Sequence, residues 1–318
     1  MAKKYTNTGN KDTRSGFGAG LLEAGRKNPN IVALTADLLG SVKMDAFAKE
    51  FPERFFQCGI AEANMIGAAA GLAITGKVAF ASSFAEFVTG RVYDQIRQEV
   101  AYGHTNVKVC ASHAGITLGE DGATHQTMED IALMRALPGM VVINPCDYNQ
   151  CKAATLAIAE YNGPVYLRFG RPTMPNFTPE DQVFEIGKAV CLNEGTDVTI
   201  FATGHLVWEA VNAVELLEAE GISAEVIDIA TIKPLDVEAV VASAKKTGAV
   251  VCAEEHNMCG GLGELIAGVL AANAPTPVEY INGGDKFGQS GTPAQLLNLY
   301  GMDAANIAEA AKKAISRK

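Results

Sequence analysis

Short runs of Val, Ile and Ala alternate with helical stretches along the chain, and this alternation leaves little choice of fold. Ile31–Ala36, Val78–Ser82, Val107–Ala111, Met140–Asn144 and Val165–Phe169 read as buried strands. Between them, Thr13–Lys27, Ala61–Thr75, Arg91–Tyr102, Thr127–Leu137 and Asn149–Tyr161 read as helices. Such a series predicts a mainly parallel sheet with helices on both faces. It breaks at Gly170–Asp181, where three prolines and several polar residues read as a linker. Then it restarts. Asp197–Ala202, Ala224–Ile229, Ala249–Glu254 and Pro277–Asn282 are expected strands; Trp208–Ala219, Val237–Lys245, Leu262–Ala272 and Asn306–Ile315 are expected helices. With 318 residues, more than one core usually organises, the chain divides into two α/β domains, residues 1–177 and 185–318, with a linker within 170–184.

The net charge of −10 argues against nucleic acid or an anionic membrane as a partner. An anionic small molecule can still bind, but only at a local cluster of Arg, Lys or His. The seven cysteines (58, 110, 146, 151, 191, 252 and 259) form no C-x-x-C pair. That fits a reducing cytoplasm better than a disulfide framework or a zinc site. The polar start, MAKKYTNTGNKDTRSG, has no apolar core of a signal peptide, and no apolar run approaches the roughly 20 residues of a membrane span.

In open parallel sheets, ligands bind beyond the carboxyl ends of the strands. That rule selects Asp37, Ser83, Phe84, His113 and Arg171 in the first domain. Second-domain strand ends offer His205 and the acids Glu254 and Glu255, a poorer set for an anion. Glu62 opens a helix made largely of Ala and Gly, a surface that lets another backbone come close; taken alone it could be a cap or a dipole partner. SHAGITLGEDGATH, Ser112–His125, packs two histidines and two acids among glycines, dense enough for a site. Its histidines lack the helical spacing of a metal pair. The aromatics of SFAEF, Ser83–Phe87, are either core or an apolar slot for a flat ring. The arginines of LRFGRP, Leu167–Pro172, are either surface ion pairs or a phosphate clamp. The glycines of GFGAG (16–20), which no expected strand precedes, and of GGLGE (260–264) lack the dinucleotide spacing and read as packing or turn residues.

Taken in order, TADLLGS (35–41), the Gly59–Asn64 segment, ASSFAEF (81–87), DQIR (94–97), GEDGATHQ (119–126), TIKPLD (231–236) and SGTPAQLL (290–297) resemble the C-terminal section of the transketolase family over nearly the whole chain. The resemblance implies a thiamine diphosphate pyrimidine-binding domain followed by a C-terminal domain that helps subunits associate. It implies that Glu62 contacts N1′ of the aminopyrimidine and shares a proton with it, so that the exocyclic amine can act as a base. A carboxyl group in apolar surroundings suits that task. Phe84 and Phe87 match aromatics that enclose the ring, and Asp37 lies near the cofactor. A further family aromatic is replaced by Gly90, and Tyr93 is the candidate to stand in for it. Arg14, Ser41, His113 and Arg171 match positions that hold the sugar phosphate. Asp121 matches a contact to a sugar hydroxyl, and His125 a histidine beside the substrate. Ala123 replaces a common loop proline.

The family's other half carries a G-D-G motif and a later Asn, which hold Mg²⁺ and the diphosphate; neither is found in this sequence. The resemblance therefore implies one subunit of a two-component enzyme. It would be inactive alone, paired with an N-terminal subunit that holds Mg²⁺, and assembled as α2β2. The reaction implied is transfer of a two-carbon ketol unit from a ketose phosphate to an aldose phosphate. Deoxyxylulose phosphate synthase and the β subunit of a 2-oxoacid dehydrogenase share much of the pattern. The set Arg14, Ser41, His113, Asp121 and Arg171 favours a sugar phosphate over the dehydrogenase reading. A non-catalytic scaffold subunit is disfavoured because Glu62, His113 and Asp121 are all present.

Overall fold

The computed structural model describes residues 5–318; residues 1–4 of the polar N-terminal stretch lie outside them. Two parallel-dominated sheets form two α/β domains. The first has seven strands in the order Thr231–Lys233, Val141–Ile143, Val165–Arg168, Val107–Ser112, Val78–Phe84, Ile31–Thr35, Phe55–Gln57. All neighbours are parallel except the first pair. The second has five, Val278–Ile281, Val250–Ala253, Val198–Ala202, Ala224–Asp228 and Val190–Asn193, with only the last antiparallel. The central strands of both sheets are buried on both faces, which is why they read as continuous apolar runs rather than alternating ones.

The domains interlock. The edge strand Thr231–Lys233 comes from the second half of the sequence yet pairs with Val141–Ile143 of the first sheet. One apolar cluster runs across the junction, joining Ile131, Met134 and Val142 to Phe201, Ile229 and Ile232. The proline-rich linker is also less free than its composition suggests. Thr173–Pro175 pairs antiparallel with Asn10–Asp12, and the Asp147 carboxylate accepts the backbone N–H groups of Phe177 and Thr178 at 2.8 and 2.7 Å. So a short strand does precede GFGAG. Its glycines pack as expected: a Cβ at Gly16 would strike the Tyr148 carbonyl, on the helix Tyr148–Glu160 that lies alongside.

Two expected helices come out differently. Thr127–Leu137 shrinks to Asp130–Arg135, because the Thr127 and Met128 carbonyls are taken by Gly115 and Asn257 N–H groups. Arg91–Tyr102 becomes a short turn, Tyr93–Gln95, running into a π-helix, Ile96–Tyr102, a form that concentrates near functional sites. Cys110, Cys146, Cys151 and Cys252 are buried, while Cys191 and Cys259 are exposed. Among the described residues, no helix is long and apolar enough to cross a membrane.

Candidate active site

The carboxyl ends of Ile31–Thr35, Val78–Phe84, Val107–Ser112 and Val165–Arg168 open toward one side of the first sheet and carry the predicted residues there. Two of them turn sharply. Asp37 and His113 both adopt left-handed backbone (φ 60° in each), a strained geometry that tends to mark functional positions. The backbone N–H of Asp37 donates to Gln57 Oε1 at 2.6 Å, and Gly59 N–H uses the same oxygen. Gln57 thus fixes the turn leading to Glu62, a role sequence reasoning did not assign.

Glu62 is the first residue of the helix Glu62–Ile74 and is buried. The expected apolar surroundings are interrupted by one cation. Arg91 Nη1 lies 3.2 Å from each Glu62 carboxylate oxygen, and its guanidinium covers the Phe87 ring at 4.4 Å. Arg91 follows Gly90, the position at which the sequence pattern lacks an aromatic; the signal was one residue away. A side chain at Gly90 would meet Glu86, and Tyr93 is half-buried on the following turn.

Phe84 joins two groups of residues. On one side it stacks with Phe87 at 5.6 Å, and on the other with the His113 imidazole at 3.7 Å. His125 meets the edges of both phenylalanines, at 6.4 and 5.5 Å. Beyond His113 lies the basic group. Arg14 Nη1 donates to the Ser41 carbonyl at 3.1 Å and sits 3.5 Å from His113 Nε2, while its Nε is held by Asp12 at 3.2 Å. Arg171 donates to the Leu118 carbonyl at 2.7 Å and pairs with Glu120 at 2.8 Å. Asp121 is exposed on the same loop.

Burial, and then the positive charges of Arg14 and Arg171, push the His113 pKa down from 6.5 to about 3. The ring is therefore neutral at physiological pH, with Nδ1 bonded to Ser112 Oγ at 2.7 Å and Nε2 facing Arg14. Since the folded-state pKa lies below the unfolded one, the folded chain binds fewer protons between about pH 6.5 and 3. Stability therefore falls as pH drops through that window. The His113 ring resonances followed by NMR should stay those of the neutral imidazole down to about pH 4; titration near pH 6.5 would contradict this environment.

A carboxylate at a helix start, an adjacent pair of ring faces and a separate anion clamp suit a ligand with a planar base at one end and a substrate with a charged end at the other. Paired α/β domains of this kind carry their identity in the family models they match. The model described as the transketolase pyrimidine binding domain matches residues 10–176, and that of the transketolase C-terminal domain matches residues 187–307. The chain belongs to the transketolase family, whose members depend on thiamine diphosphate. It is 51% identical over 302 residues to a putative transketolase C-terminal section of Methanocaldococcus jannaschii, covering 94% of this chain and 95% of that one. It is 45% identical over 298 residues to a 6-deoxy-6-sulfo-D-fructose transketolase subunit of Clostridium sp., covering 94% and 92%. A solved split gene transketolase, described as an inactive beta4 tetramer, superposes with a TM-score of 0.90 at 47% identity, covering 97% of this chain and 99% of that one.

Proposed function

We propose that this chain is the C-terminal subunit of a split transketolase. It would complete a shared site with an N-terminal subunit that holds Mg²⁺ and the diphosphate, in an α2β2 assembly in the cytoplasm. The reaction is transfer of a two-carbon ketol unit from a ketose phosphate to an aldose phosphate. The observation that carries this reading is Phe84, whose ring links the Glu62–Phe87 slot to the His113–Arg14 clamp. A cofactor ring on one side and a sugar phosphate on the other would meet there.

The residues present fit the cofactor's aminopyrimidine: Glu62 would take the ring nitrogen, Phe84 and Phe87 the ring faces, and Asp37 the neighbourhood of the strand end. When bound, thiamine diphosphate supplies the nucleophile and the electron sink for cleaving a bond beside a ketone. Glu62 holds the proton shared with the ring nitrogen. Phe84 and Phe87 exclude water from the ring. Arg91, which covers Glu62 here, must give up that contact to admit the ring. Arg14, Arg171, Ser41 and neutral His113 bind and orient the anionic end of the sugar. Asp121 and His125 face its hydroxyl groups, with the His125 ring set against the edges of Phe84 and Phe87 beside the slot. The exposed face of the Glu62–Ile74 helix, with Ala63, Ala68 and Gly71 between Ile60 and Ile74, suits the close packing of a partner subunit. The solved relative's inactivity as a tetramer of one subunit type supports a requirement for a second chain.

The test is ketol transfer from xylulose 5-phosphate to ribose 5-phosphate with thiamine diphosphate and Mg²⁺, with the chain alone and with a G-D-G-bearing N-terminal subunit. Activity only in the mixture supports the proposal, and activity from the chain alone sinks it. Because the anionic oxygens of a sulfonate can also be held by arginine hydrogen bonds, a sulfonated ketose belongs in the same assay. Turnover of that sugar alone would replace the phosphate reading. In the assembled enzyme, Arg14→Ala should raise KM for the phosphorylated substrate by roughly tenfold to a hundredfold, the cost of a lost charge-assisted hydrogen bond. An unchanged KM would remove Arg14 from the clamp.

A further inference from the structure

The acidic pair at the end of strand Val250–Ala253 looked poorly suited to bind an anion, and it does something else. Glu254 serves its own domain: its carboxylate accepts the N–H groups of Leu262 and Gly263, at 2.6 and 2.8 Å, where the helix Leu262–Asn273 begins. Glu255 turns the other way, into the first domain. It is 2% exposed, and its Oε1 accepts the backbone N–H of Thr117 at 2.6 Å. His205 backs this contact, its Nδ1 lying 3.1 Å from Thr117 Oγ1 and 3.4 Å from Glu255 Oε2. Arg168 donates to the Glu255 carbonyl at 2.8 Å. Gly115 passes so close, at φ 80°, that any Cβ there would strike the Glu255 carboxylate.

A buried carboxylate is costly unless it is well bonded, and an apolar side chain would fill the junction at lower cost. What the carboxylate grips explains its presence. Thr117 adjoins Leu118, whose carbonyl holds Arg171, and the segment from 113 to 125 carries His113, Asp121 and His125. The far end of this loop is tied to the same domain by Gln126, whose Nε2 lies 3.0 Å from Gln289 O and also braces the loop internally through Ile116 O and Gly119 O at 2.9 and 3.2 Å.

We infer that Glu255, on the C-terminal domain, is a positioning residue for the substrate loop, setting through Thr117 the register in which Arg171, Asp121 and His125 meet the sugar. This rests on the function proposed above. It gives the C-terminal domain a part in substrate binding beyond subunit association. Glu255 touches neither substrate nor cofactor and acts only through the loop.

Three variants of the assembled enzyme test it. Glu255→Ala removes the acceptor and should raise KM for the phosphorylated sugar roughly tenfold or more, the cost of one charge-assisted hydrogen bond, with a smaller change in kcat. Glu255→Gln keeps an oxygen at the same reach and should restore KM to within a few-fold of wild type. Glu255→Asp keeps the charge but withdraws it by one methylene and should behave like alanine. In the chain alone, hydrogen exchange should accelerate over residues 115–126 in the alanine variant and stay unchanged in strand Val107–Ser112. A lowered melting temperature with unaltered KM would overturn the inference, as would unaltered exchange at 115–126. Should wild type transfer no ketol unit from any phosphorylated or sulfonated sugar, the functional reading fails. The exchange experiment still decides whether Glu255 holds the loop, and if the alanine variant fails to fold, Glu255→Gln against Glu255→Asp supplies the same contrast.

Discussion

Glu62→Gln is expected to lower kcat of the assembled enzyme by about 10²–10⁴-fold, the usual worth of a positioned proton-transfer group, while the fold stays intact. Glutamine keeps the volume and one acceptor oxygen, so the slot beside Phe84 and Phe87 retains its shape. Among the described contacts, the carboxylate's partner is Arg91, whose side chain is 52% exposed and can return to water. An ion pair with one partner this exposed contributes about 0–1 kcal/mol. A negative charge at a helix start adds about 0.3–1 kcal/mol. Stability should therefore fall by about 2 kcal/mol at most, while the ability to share a proton with a ring nitrogen is lost outright. The separation of the two effects is the diagnostic. Single-turnover ketol transfer and thermal unfolding, measured on the same preparation, give both numbers. Unchanged kcat would sink the role of Glu62, and a large loss of stability would show that the residue is structural.

The sequence made the first domain's layout legible because strands buried on both faces are continuous apolar runs and their ends carry polar residues. Asp37, Phe84, His113 and Arg171 were selectable from that rule alone. Glu62 and the roles of Arg14, Ser41, Asp121 and His125 came from the resemblance, since a lone acid at a helix start has a bland explanation. Contacts between distant segments were not legible. Nothing in local pattern says that Thr231–Lys233 leaves its own domain to extend the first sheet, or that Thr173–Pro175 pairs with Asn10–Asp12. Arg91 was hidden for a different reason. The pattern drew attention to the absent ring at Gly90, whereas the group that lies over Phe87 and meets Glu62 is the guanidinium of the next residue, which no aromatic pattern signals. Glu255 was hidden because its partner is a backbone N–H some 138 residues away, which no side-chain pattern reveals.

The largest stability effect is expected at Arg168, the last residue of the strand Val165–Arg168. Its guanidinium is 3% exposed and Asp130 is fully buried; Nε meets Asp130 Oδ2 at 2.7 Å, and the Tyr166 hydroxyl donates to the same oxygen at 2.6 Å. Burial alone would weaken the arginine's hold on its proton, but Asp130, Glu255 and Tyr166 outweigh it and raise the pKa. The same burial lifts the Tyr166 hydroxyl well above its ordinary value, so it remains a donor. Arg168→Met fits the volume but leaves Asp130 buried with one neutral partner and leaves the Glu255 carbonyl without its donor. Breaking such a pair from one side costs about 3–5 kcal/mol, readable as a shifted urea midpoint by far-UV circular dichroism. Removing both charges is different, because the double variant Arg168→Met/Asp130→Leu no longer strands a carboxylate and should recover at least half of the loss. A single variant within about 1 kcal/mol of wild type would show that water reaches Asp130. A double variant no more stable than the single would show that the pair itself, rather than the relief of a stranded charge, carries the stability of this part of the first domain. The first outcome would also weaken the case for Glu255, since the arginine that ties down its carbonyl would then sit in a wet junction, unable to fix the loop beside the sugar.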